Sequence, residues 1–120
     1  MNSTIIHGTH VKGSVLDNLS KALPGFIADA LEVPGGNLAI LKPNQVSLEF
    51  LQASPRDVGS DIKIMVFARD LTPRSSKEKD LAKEILEKVV LLACKPGEEY
   101  SIDIRLYLME IGAAEHLPGK

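Results

Sequence analysis

IKIMVFARDLTPRSSKEKDLAKEILEKV, residues 62–89, carries two hydrophobic periods in succession. Over residues 61–68, Ile62, Ile64 and Val66 alternate with Lys63, Met65 and Phe67, which is the period of a strand. Both parities turn apolar toward its end, as in a central strand covered on both sides. Leu71 to Arg74 reads as a short connection. Ser75 followed three places on by Glu78 predicts a capping box, with hydroxyl and carboxylate each satisfying a backbone N–H. Leu81, Ile85, Val89 and Leu92, with Ala82 and Leu86, then recur at the helical period. Lys77, Lys79, Asp80, Lys83, Glu84, Glu87 and Lys88 form the solvated face of that helix. Lys95, Pro96 and Gly97 stop it, and Ile102, Ile104, Leu106 and Leu108 alternate as a last strand that ends near Ile111 and Gly112.

The same order stands upstream. Thr4 to Val11 is rich in β-branched residues and predicts a first strand, with Gly8 a weak point inside it. Ser14 offers an N-cap, and Leu16, Leu19, Leu23, Phe26, Ile27, Ala30 and Leu31 mark an amphipathic helix. Pro24 and Gly25 predict a kink or a restart within it, because proline removes a hydrogen bond and crowds the preceding turn. VPGG at 33–36 ends the helix. Asn37–Leu41 and Gln45–Leu51 follow as extended pieces around a turn at 42–44, and residues 53–60 form a polar mid-chain loop.

Strand–helix–strand thus occurs twice, in halves of about 4–51 and 61–111 of a single domain spanning 1–120. A helix-length spacer between strands is what a parallel crossover requires. The architecture expected is α+β: a double β-α-β repeat with two helices on one face of a four-stranded mixed sheet. A ferredoxin-like fold with a tight central hairpin has the same element counts, and periodicity alone does not separate the two. Residues 46–51 and 102–111 carry apolar side chains on both parities, Phe50 with Leu51 and Leu108 with Met109. That is more apolar surface than one layer of helices buries, so a cyclic homotrimer is expected.

Composition narrows the function. A hydrophobic share of 44% with 25% charged residues is that of an ordinary globular domain. Fourteen basic against sixteen acidic residues leave a net charge of −2, which provides no field for nucleic acid or an anionic membrane. Two Tyr, three Phe and no Trp are few for a base-stacking platform. No apolar run approaches the roughly 20 residues of a membrane span. Residues 1–7 lack the basic-then-apolar pattern of a signal peptide, and one cysteine makes no internal disulfide, so a reducing cytoplasm is the expected location.

Residues 62–89, together with LPGFIADAL (Leu23–Leu31) and IDIRLYLMEI (Ile102–Ile111), resemble the tautomerase superfamily, in particular 5-carboxymethyl-2-hydroxymuconate isomerases. The resemblance covers about two thirds of the chain. It implies keto–enol proton transfer on small unsaturated acids by an amino-terminal proline, with no metal or cofactor, in trimers of this double unit. It also implies an arginine before the second helix that binds the substrate carboxylate, and Arg74 in TPRSS holds that position. The proline does not carry over, because the chain reads Met1, Asn2, Ser3. Asn44 to Ser47 stands where the isomerases hold a second arginine, and contains none.

Other residues are weighed beside these. His7 and His10 are the candidates for a replacement base, read as lying on opposite faces of the first strand, against ordinary half-exposed histidines. Arg69 is a second candidate for substrate binding, against a surface ion pair with Asp70. His116 falls in a polar tail, Cys94 reads as core filler, and no ligand spacing for a metal occurs. Gly35 and Gly36 follow a helix, where a phosphate loop would precede one. Two functions are expected from the sequence: a binder of small organic acids that has lost the proline chemistry, or an active isomerase with a non-proline base.

Overall fold

The computed structural model describes residues 1–32, 42–70 and 77–119. The order is β1 (Asn2–His7), α1 (Gly13–Leu31), a 3-10 turn (Pro43–Gln45), β2 (Ser47–Gln52), β3 (Ile62–Arg69), α2 (Glu78–Ala93) and β4 (Ile102–Met109). The strands lie side by side as β2-β1-β3-β4. β1 pairs with β2, and β3 with β4, in parallel, while β1 and β3 are antiparallel at the centre. Each half therefore closes a parallel pair through its own helix, and the halves meet at β1 and β3. A ferredoxin-like order fails here, because β2 and β3 are not a hairpin: β1 lies between them.

One face of the sheet meets the helices. Ile5, Ile62, Ile64, Val66 and Ala68 join Leu19, Leu23, Ile27 and Leu31 of α1 and Ile85, Val89 and Ala93 of α2 in a single core. Burying a large aliphatic side chain fully is worth about 1.5–3 kcal/mol, so this layer is the main source of stability. Ser3 shares it: the residue is 1% exposed, and its hydroxyl has no hydrogen-bond partner among the described residues. On the alternate parity stand Ile6, Leu51, Met65, Phe67, Tyr107 and Met109, interspersed with Glu49, Lys63, Asp103 and Arg105. The rings of Phe67 and Tyr107, paired in register, stack at 5.1 Å.

Element boundaries differ from the sequence expectations in three places. β1 begins at Asn2 and ends at His7, because the chain turns at Gly8, whose N–H donates to Asp61 O and whose carbonyl accepts from Val11. α1 starts at Gly13 with Lys12 as cap residue, its carbonyl accepting from Val15 and Leu16, and Ser14 lies inside the helix. Pro24 neither breaks nor restarts it, since α1 runs unbroken to Leu31. Leu19, Leu23, Ile27 and Leu31 are fully buried on either side of the proline, and that packing outweighs the roughly 3 kcal/mol an interior proline costs.

α2 begins at Glu78 with Lys77 in the cap position, without a side-chain cap bond, and Glu78 and Asp80 in the first turn complement the helix dipole. The Ser75 cap, the end signal at 33–36 and the extended piece Asn37–Leu41 lie outside the described residues. Among the described residues no helix is long and apolar enough to cross a membrane.

Candidate functional site

The two ends of β1 present different chemistry. At its start, the Met1 nitrogen donates to Gln45 O at 3.4 Å and the Met1 carbonyl accepts from Ser47 N at 2.9 Å, which zips the residue before β1 onto the start of β2. Asn2 lies across from Phe67, so Arg69, two residues further along β3, falls at the Met1 end of the sheet, in register with Met109. Arg74 lies outside the described residues.

At the other end of β1, the turn after His7 and the loop 53–61 enclose a cleft of about 540 Å³. His10 and Asp61 both line it, and His10 Nε2 lies 2.9 Å from Asp61 Oδ1. Asp61 is anchored in turn by Ser101, whose N–H donates to Oδ2 at 2.9 Å while its hydroxyl accepts from Asp61 N at 2.8 Å. The Ser101 N–H is the main cause that holds the Asp61 carboxyl below its usual range; desolvation opposes it, and the Ser101 side chain and His10 make smaller additions in the same direction as the N–H. The ring of Tyr100 stands 6.1 Å from that of His10, and the Tyr100 hydroxyl accepts from Lys12 N. Lys12 and Glu98 form an exposed ion pair beside them that raises the lysine's pKa and lowers the glutamate's.

The candidate residues are therefore not gathered in one place. His10 lies in the turn beyond β1, so the alternation that set it opposite His7 does not apply to it. His7, the last residue of β1, keeps its Nδ1 3.2 Å from Gly8 O and is not among the residues lining the cleft. It pairs with Ile62, at the start of β3, whereas Arg69 ends β3, on the order of 20 Å away at the rise of an extended chain. Asp61, Lys63 and Ser101 were not foreseen as site residues. No local spacing could reveal them, since only the antiparallel β1–β3 register and the parallel β3–β4 register bring them beside residues 8–10.

Cys94 follows α2 and donates its thiol to Tyr100 O at 3.6 Å, and His116 is exposed. Among the described residues no three metal-ligating side chains come together.

No family model matches the chain, and no curated protein matches it by sequence. Solved structures match it in fold. A malonate semialdehyde decarboxylase, solved in wild-type, mutant and inactivated forms, gives a TM-score of 0.67 at 13% identity, over 100% of this chain and 93% of that one. A fused 4-OT solved as a symmetric trimer gives 0.60 at 14% identity, over 98% and 94%. The macrophage migration inhibitory factor of Trichinella spiralis gives 0.58 at 12% identity, over 94% and 96%. These likenesses support the superfamily's fold and not the narrower resemblance to 5-carboxymethyl-2-hydroxymuconate isomerases. The double β-α-β unit described above is the tautomerase-superfamily fold, and this chain has it.

Proposed function

We propose that this protein is a homotrimeric, tautomerase-fold binder of small organic acids that has lost the chemistry of the amino-terminal proline. The observation that carries the reading is the residue in front of β1, which is Met1 and not proline, with its carbonyl taken up by Ser47. Arg69 at that end of β3, and Arg74 five residues beyond it in sequence, are the carboxylate-binding groups. A guanidinium presents paired N–H donors that match a carboxylate's two oxygens. Assembly is supported by the sheet face that carries Ile6, Leu51, Met65, Phe67, Tyr107 and Met109, and by the symmetric and asymmetric trimers of fused 4-OT proteins with this fold. Sedimentation at micromolar concentration is expected to give a trimer, and a stable monomer would remove that part of the reading.

An active isomerase that used His7 or His10 as its base would need the base and Arg69 at one site. Within one chain they stand at opposite ends of β3. The test is to follow an enolised 2-oxo acid in the presence of the protein. The expected result is that the acid raises the melting midpoint while it ketonises at the rate seen in buffer. A saturable acceleration, with a pH dependence reporting a base near neutrality, would instead establish the isomerase.

A further inference from the structure

We infer that a charge pair between subunits closes the trimer proposed above, with Glu49 on β2 of one copy against Arg105 on β4 of the next. The inference rests on the trimer reading and names the contact that fixes how the copies meet. The two edges of the sheet differ, since β2 forms one and β4 the other. A cyclic trimer repeats one heterologous contact, so the β2 flank of each copy meets the β4 flank of its neighbour. Glu49 is the only charged residue of β2, and Arg105 is the only cation of β4. The strand register sets them level with each other. Glu49 pairs with Thr4, Thr4 with Met65 and Met65 with Arg105, which makes a single row across the four strands. Rotation about an axis along the strands keeps that row at one height, and so brings Arg105 of one copy beside Glu49 of the next. Within one chain the two stand three strand spacings apart, about 14 Å, and do not pair.

Both residues are exposed, on the sheet face that also carries Leu51, Met65 and Tyr107. Glu49 has no ion pair among the described residues. Arg105 donates from Nε to Asp103 Oδ2 at 3.2 Å, which leaves the four N–H groups of its terminal nitrogens for a second acceptor. A second copy laid over this face takes Glu49 out of water, and a carboxylate buried without a partner is costly. The face has two further cations, Lys63 and Arg69. They belong to β3, an inner strand, and stand in other rows. Arg105 is the cation that the neighbouring flank presents.

Analytical ultracentrifugation of the full chain and its charge-reversed variants tests the pair. Glu49→Arg sets cation against cation at every contact, and should sediment below trimer at a concentration where the wild type is trimeric. Arg105→Glu should do the same, and the double variant Glu49→Arg with Arg105→Glu should regain the trimer. Trimers in both single variants, or a double variant that associates no better than Glu49→Arg alone, would overturn the pair. Neutral variants decide the matter if Arg105→Glu does not fold. Glu49→Gln and Arg105→Gln should each weaken association at least about tenfold per contact, and together no further than either alone. Fully additive losses would show that the two residues do not meet. A monomeric wild type would remove the trimer reading and the pair with it, whereas a trimeric wild type with indifferent variants removes the pair only.

Discussion

Gly8 packs against the Nδ1–Cε1 edge of His10, in a space that a single methyl group would close to 2.5 Å. A ring that moves away from a methyl group there strains the 2.9 Å hydrogen bond that its other nitrogen makes to Asp61. Gly8→Ala should therefore break the His10–Asp61 link at a cost of about 0.5–1.5 kcal/mol, the net value of one such bond. The Nε2 proton of His10 should lose its hydrogen-bonded shift. An unchanged resonance and melting midpoint would mean that the turn relaxes around the methyl group.

Asp61 gives the fold an acid-sensitive component. Its carboxyl titrates lower in the folded chain than in the unfolded one, so the stability it contributes is present above the ordinary carboxylate range. That contribution is lost as pH falls through the lowered value. Urea midpoints measured from neutral pH downward should show a shallower acid limb in Asp61→Asn than in the wild type. Because the Ser101 N–H is the larger cause, His10→Ala should keep most of the wild-type slope. Equal slopes in the wild type and Asp61→Asn would contradict the assignment.

Ser3 places a hydroxyl in the helix-facing layer with no described partner. Ser3→Ala should raise stability by about 1 kcal/mol, because it removes a desolvated polar group and little volume. A lower denaturation midpoint would show that the hydroxyl is bonded in the folded protein.

Pro24 interrupts the hydrogen bonding of α1 without ending the helix. Pro24→Ala restores one backbone donor and loses some restriction of the unfolded chain, for an expected net gain of about 1–2 kcal/mol. A loss of stability would mean that the proline ring packs in a way alanine cannot replace.

The repeat was legible in the sequence because both halves write their strand and helix periods plainly, as Ile62, Ile64 and Val66 do before Ile85 and Val89. Boundaries were less so. The backbone turn at Gly8 ends β1 before Val11, and buried leucines carry α1 through Pro24. The site was the least legible part. His10 and Asp61 are 51 residues apart, and only strand pairing joins them. The same pairing sets the histidines and Arg69 at opposite ends of β3, which no linear pattern displays.

The central claim is that the arginine end of the sheet binds a small carboxylate, and malonate-dependent thermal stability tests it most directly. Malonate at a hundredfold excess over its Kd should stabilise the protein by about 2.7 kcal/mol. Arg74→Ala and Arg69→Ala should each remove most of that gain, and Arg74→Lys should keep little, because a point charge does not grip both carboxylate oxygens. A midpoint that malonate does not move, or a gain that survives in both alanine variants, would contradict the account.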